Sequence, residues 1–200
     1  MIKYTVPALL EESFKKFPHN ISLSFVGETP LTYNQLKNKI DGVSMMLENF
    51  GVSPGDKVAI LSNNMPNWGI AYFAILCSGA IAVPVLPDFH PDEISKILQH
   101  AEAKLIFISE NLYYKVEQGL PGKISARVLI DNFSIIPEGT SAGKLQELSP
   151  YPGNENPSPS RPAVEEDDLA SIIYTSGTTG TSKGVMLTHR NISWNAIQSF

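Results

Sequence analysis

Residues Tyr174-Thr175-Ser176-Gly177-Thr178-Thr179-Gly180-Thr181-Ser182-Lys183-Gly184 decide how this chain is read. The segment follows the apolar run Leu169 to Tyr174, which has the character of a buried strand. It gathers serine and threonine hydroxyls, three glycines and a lysine. Gly177, Gly180 and Gly184 let the backbone adopt positive φ and approach a ligand closely, so successive N–H groups converge on an oxyanion while the hydroxyls donate further bonds. Lys183 adds a point charge. A triphosphate fits such a cradle; a flexible Gly/Ser/Thr turn is the bland reading of the same composition.

The Walker A loop is the nearest rival, and the spacing fails it. That motif needs Gly, four residues, then Gly-Lys and a Ser or Thr. Counting from Gly177, the sixth position is Ser182, and Gly184 follows Lys183. Gly184 to Thr188 also reads as a strand, whereas a Walker loop runs directly into a helix.

Upstream, the periodicity alternates between the two regular structures. Val6, Leu9, Leu10, Phe14 and Phe17 recur at helical spacing behind Pro7. Ile21 to Phe25 and Leu31 flank Gly27-Glu28-Thr29-Pro30 as a short hairpin. Thr32 and Gln35 have capping-box spacing ahead of an apolar stripe from Tyr33 to Phe50 that stops at Gly51. Lys57 to Leu61, Ile81 to Val85 and Leu105 to Ser109 then read as strands, separated by helices over Pro66 to Ser78 and Pro91 to Ala101. The helix around Trp68 and Phe73 is apolar nearly all round, as expected of one covered on both sides. Ser109 is expected to cap a short helix through Val116, and Val128 to Ile130 to form one more strand. The predicted fold is α/β: a mainly parallel sheet with flanking helices, built from right-handed βαβ units.

Between Pro137 and Pro162 the composition shifts to Pro, Gly, Ser and Asn and the periodicity disappears, which predicts a long surface loop. The expected organisation is a βαβ-type subdomain with its initial helix and hairpin over 1–136, the loop over 137–168, and over 169–200 a return to the sheet by strand, phosphate loop, strand and helix. Glu165-Glu166-Asp167-Asp168 is an acidic run whose expected state is solvated rather than metal-binding.

Composition excludes several classes. The net charge is −5 and the 15 Lys and Arg residues are scattered, so no basic face for nucleic acid is expected. Any anionic ligand must therefore be held by a local site. Cys77 stands alone in an apolar run, without a disulfide framework or CxxC pattern; it reads as a small buried hydrophobe in a cytoplasmic protein. No stretch has the length of a membrane span.

The motif Tyr174 to Gly180, followed after two residues by Lys183-Gly184-Val185, resembles the signature of the adenylate-forming superfamily of acyl-CoA synthetases, nonribosomal-peptide adenylation domains and luciferases. One departure is Ser182, where many members have Pro. Asn64 to Trp68 and Gly79 to Val85 are similar to the family's N-terminal portion, and Thr188-His189-Arg190-Asn191 looks like the version in acyl-CoA ligases. Trp68, Pro66 and Pro84 are expected to serve packing and turns, His189 packing or capping, and Arg190 a solvated helix face.

The resemblance implies a two-step ATP-dependent reaction. A carboxylate attacks the α-phosphorus of ATP to give an acyl-adenylate and pyrophosphate, and coenzyme A thiol then displaces AMP. It assigns ATP-phosphate contacts to Thr175, Ser176, Gly177, Thr178, Thr179, Gly180, Thr181, Ser182 and Lys183. It puts the Mg2+ ligands, the catalytic lysine and the adenine, acyl and coenzyme A pockets beyond residue 200, so no catalytic or metal-ligating residue is expected in this chain. On this reading the chain is the inactive N-terminal part of a long-chain fatty acyl-CoA synthetase, with ATP, fatty acid and coenzyme A as small-molecule partners. Peripheral membrane contact and self-association stay open. The alternatives are an adenylating enzyme for aryl or amino acids, a non-catalytic nucleotide- or phosphate-binding module, and a structural domain whose Gly/Thr segment is only a turn.

Overall fold

The computed structural model describes residues 3–121, 124–152, 157–175 and 183–198. Helix α1 (Val6–Lys16) is capped by the Thr5 hydroxyl, which accepts from the Ala8 amide. Strands β1 (Ile21–Leu23) and β2 (Leu31–Thr32) form the expected antiparallel hairpin. Helix α2 (Tyr33–Asn49) starts from the expected capping box, with the Thr32 hydroxyl and Gln35 side chain bonded to each other's backbone amides. It ends before Gly51, whose φ of +71° is readily available only to glycine.

Strand β3 (Lys57–Leu61), helix α3 (Pro66–Cys77), strand β4 (Ile81–Val85), helix α4 (Pro91–His100) and strand β5 (Ala103–Ile108) realise the predicted alternation. Strand β3 pairs in parallel with both β4 and β5. Strands β6 (Ala126–Leu129), β7 (Ser134–Ile135), β8 (Leu169–Thr175) and β9 (Lys183–Thr188) follow, and helix α5 (His189–Gln198) ends the described chain. The main sheet has the order β7-β6-β5-β3-β4-β8-β9, parallel except where β7 and β9 pair antiparallel at its two edges. The fold class is the α/β one read from the sequence.

Two cores follow from the pleat. Val58 and Ile60 point to the face covered by α1, α2 and α3, where Leu36, Ile40, Leu47, Ile70, Ala74 and Ile75 are buried. Ala59 and Leu61 point to the other face, against Ile94, Ile97 and Leu98 of α4 and the ring of Tyr113. The nearly all-round apolarity of α3 has its reason here: the helix lies between the sheet and the α1–α2 layer.

Several local readings are corrected. The expected helix after Ser109 is a 3-10 turn over Glu110–Lys115, and the Ser109 hydroxyl bonds the Asn111 side chain at 2.7 Å rather than capping a backbone amide. The chain reverses after β6 through Phe133, at φ +59°, to add β7 to the sheet edge. Within the stretch read as aperiodic loop, Ala142–Glu147 forms a second 3-10 turn that buries Leu145 completely. A strand of two residues and a single anchoring leucine are too short to leave a periodicity.

Strand β4 carries a proline in the middle of the sheet, and its effect is local. The Ala82 carbonyl accepts from the Ser171 hydroxyl at 3.1 Å, so residue 82 presents its polar groups to β8. Pro84, two positions on, faces the same neighbour without an N–H. The ladder to β3 is intact along all five residues, whereas Ala82↔Ser171 is the one registered pair between β4 and β8 among the described residues. Proline thus removes a ladder bond between β4 and β8 towards their carboxyl ends.

Candidate functional site

Parallel pairing places the carboxyl ends of β3, β4, β5 and β8 on one edge of the sheet. Strand order reverses around β3, since β4 lies to one side of it and β5 to the other. In open α/β sheets, ligands bind at the carboxyl edge next to such a reversal. Thr175 ends β8 at this edge.

Thr175 and Lys183 stand directly opposite one another in the antiparallel β8–β9 pair, and both are exposed. Opposed residues in an antiparallel pair share a face, so the threonine hydroxyl and lysine ammonium project to the same side. The other predicted contacts, Ser176, Gly177, Thr178, Thr179, Gly180, Thr181 and Ser182, lie outside the described residues. What is described is the root from which they spring: a strand pair with a cation and a hydroxyl side by side at its mouth.

The root is held from one side by Tyr174. Its ring is buried against the α4 face, and its hydroxyl lies 2.6 Å from Nδ1 of His100 at the end of α4. Burial pushes the phenol above its ordinary pKa, so the hydroxyl is protonated at neutral pH. Gly184 is paired with Tyr174, and a Cβ built there would meet Cγ2 of Ile172 at 2.9 Å and Cζ of Tyr174 at 3.4 Å. Glycine at 184 is required by this close cover of one strand by the other's side chains. Next along the edge, Lys115 ties the turn after β4 by donating to the carbonyls of Pro87 and Phe89, at 2.5 and 2.8 Å.

The strand over Lys183–Thr188 follows the motif, as the argument against a Walker loop required. Helix α5 is capped by Thr188, whose amide and hydroxyl both bond Oδ1 of Asn191 at 3.0 Å. His189 is buried, and its Nδ1 accepts from the Val6 amide at 3.4 Å. Burial lowers its pKa, against the opposing pull of Asp168. It therefore packs the start of α5 onto the start of α1.

The acidic run is exposed at Glu165, Asp167 and Asp168, as expected of a solvated stretch, but it is also paired. Glu165 pairs with Lys3 at 2.8 Å, Glu166 accepts from the Tyr4 amide at 3.0 Å, and Arg190 reaches both Glu166 and Asp167 at 3.2 Å. Asp168 accepts from the Glu165 amide and, through its backbone carbonyl, from the His189 amide. The four acids clasp the first residues to the start of α5, and Arg190, exposed on the helix face as expected, is also a member of that clasp. Among the described residues, no group of three His, Cys, Asp or Glu side chains could hold a metal ion.

The remaining expectations concern packing. Cys77 is buried, and burial pushes its thiol up to about 11, which leaves it a protonated hydrophobe at neutral pH. Trp68 stacks on Tyr72 with ring centroids 5.0 Å apart, and Pro66 opens α3. None of the described helices is long and apolar enough to cross a membrane. The contribution of His100 could not be read from the sequence: it lies 74 residues from Tyr174, and no spacing rule connects them.

A family model described as AMP-binding enzyme matches residues 10–200. Among curated proteins, gramicidin S synthase 2 of Brevibacillus brevis is 31% identical over 188 residues, which is 94% of this chain and 4% of that protein. The chloroplastic long-chain-fatty-acid acyl-carrier-protein ligase AEE15 of Arabidopsis thaliana is 28% identical over 206 residues, 94% of this chain and 28% of that one. The N-terminal subdomain of Klebsiella oxytoca NpsA, solved in complex with 3-hydroxybenzoyl-AMSN, matches with a TM-score of 0.72 at 25% identity, over 94% of this chain and 42% of the other. The chain thus spans less than half the length of each of these relatives. With a match along nearly its whole length, and with the motif-bearing strand pair at the carboxyl edge of a mainly parallel sheet, the chain belongs to the AMP-binding enzyme family.

Proposed function

We propose that this chain supplies the ATP-phosphate grip of an ATP-dependent carboxylate ligase that forms an acyl-adenylate and then passes the acyl group to a thiol. One observation carries the reading: Thr175 and Lys183 flank the motif on facing strands at the sheet's carboxyl edge. The motif between them supplies amides and hydroxyls to the β- and γ-phosphates, and Lys183 places its ammonium where charge builds as pyrophosphate leaves. Each charge-assisted bond is worth about 1.5 to 3 kcal/mol, enough in combination to hold a polyanion on a chain of net charge −5.

Within this reading the acid is a long-chain fatty acid and the acceptor is coenzyme A, on the strength of Thr188-His189-Arg190-Asn191 and of the fatty-acid ligase among the relatives. An amino or aryl acid is the second reading, favoured by the likeness to gramicidin S synthase 2 and to NpsA. The acid pocket, Mg2+ and coenzyme A are assigned no residue here, and the reaction is placed in the cytoplasm. Carboxylate-dependent pyrophosphate–ATP exchange by the full-length protein, run over fatty, aryl and amino acids, tests both readings. Exchange with fatty acids alone upholds the first, and exchange with amino or aryl acids the second. No exchange with any acid refutes the proposal.

A further inference from the structure

We propose that His100 is a positioning residue for the phosphate grip, acting through Tyr174 to fix the β8–β9 root. The inference rests on the function proposed above only for its consequence in catalysis. Its structural part stands on three contacts that meet in one place. The imidazole lies in the last turn of α4, and its Nδ1 is 2.6 Å from the Tyr174 hydroxyl, with the two rings edge to face at 90°. The Tyr174 ring in turn lies against Gly184, where a Cβ would be in contact with the ring at 3.4 Å and would clash with Cγ2 of Ile172 at 2.9 Å. Tyr174 and Gly184 are register partners, and the next pair along is Thr175 with Lys183.

A side chain on α4 therefore holds the ring that packs over Gly184, one residue before Thr175. Beyond Ser171, β8 has no registered partner on β4 among the described residues, and Val185 and Met186 are exposed on β9. Without the His100 bond the buried Tyr174 ring loses its one polar anchor among the described residues, and the spacing between the Thr175 hydroxyl and the Lys183 ammonium is less tightly held. The group that grips phosphate would then be present but loosely aimed, which weakens ATP binding more than turnover.

The test uses the full-length protein with His100→Ala, Tyr174→Phe, the double variant and His100→Asn, whose amide can stand in for Nδ1. Tyr174→Phe keeps the ring and removes only the hydroxyl, so it covers the case in which His100→Ala fails to fold. Two readouts are taken: deuterium uptake of the β9 peptide, and KM for ATP against kcat in pyrophosphate exchange. Each single variant is expected to speed β9 uptake and raise KM for ATP about 3- to 10-fold, with kcat and KM for the acid within about twofold. The double variant should be no worse than either single, and His100→Asn should recover most of the loss. Unchanged uptake in both single variants overturns the inference, as does unchanged KM for ATP in an active enzyme, or additive losses in the double variant. A wild type without exchange sinks the proposed function instead, and uptake alone then decides the role of His100.

Discussion

Lys183 and Gly184 are adjacent, yet they answer to different demands. Lys183 is exposed at the mouth of the ribbon, where its only evident use is charge. Replacing it by alanine in the full-length protein should raise KM for ATP and lower the adenylation rate, together costing about 10- to 100-fold in kcat/KM, with the melting temperature unmoved. Gly184 is a matter of space. Gly184→Ala puts a methyl 2.9 Å from Cγ2 of Ile172, and the chain should lose about 1 to 3 kcal/mol, part of which Ile172→Ala in the same molecule restores. The sequence alone separates these two roles poorly, because a glycine beside a lysine in a phosphate motif reads as backbone freedom for the ligand. The structure gives Gly184 a second reason, the side chain of Ile172 on the facing strand.

At the level of elements, legibility followed the length of the repeat. The capping box at Thr32 and the stop at Gly51 fix both ends of α2, and β3 and β4 were legible to the residue because each is a short apolar run between turn residues. Strand β7, the 3-10 turn at Leu145 and the clasp formed by Glu165 to Asp168 were not legible. Each depends on partners distant in the chain, and a run of acids looks the same whether water or Lys3 and Arg190 answers it. The clasp also makes a prediction about pH. The pKa of His189 is lower in the folded chain than in the unfolded one, so its contribution to stability is full above the ordinary imidazole value of about 6.5 and is lost as pH falls through the folded value. The urea midpoint should drop between pH 7.5 and 5, and His189→Gln should flatten that dependence. An equal slope in both proteins would refute it. Farther along, Arg161 answers the buried carboxylate of Asp41 together with Lys37. Arg161→Met should cost about 1 to 3 kcal/mol in chemical denaturation, since one of the two cations remains.

For the molecule as a whole, the sheet explains both what the chain can do and what it leaves to others. The Thr175–Lys183 pair stands at the carboxyl edge, and among the described residues no group of three His, Cys, Asp or Glu side chains could hold a metal ion. On the proposed function, the 200-residue chain alone is expected to catalyse no carboxylate-dependent pyrophosphate exchange, and the full-length protein is expected to catalyse it. Exchange by the isolated chain would place the missing groups within it after all. The attachment of β8 to β4 has a further consequence, for the order in which the molecule assembles. Ala82 must find Ser171 across a long intervening stretch of chain, and the proline beside that junction denies it a second bond. Closing so large a loop is entropically unfavourable early and worthwhile only once both cores have formed. The ribbon that bears the grip should thus dock after the folding barrier has been crossed, so that Ser171→Ala hastens unfolding in stopped-flow experiments and leaves the refolding rate nearly untouched.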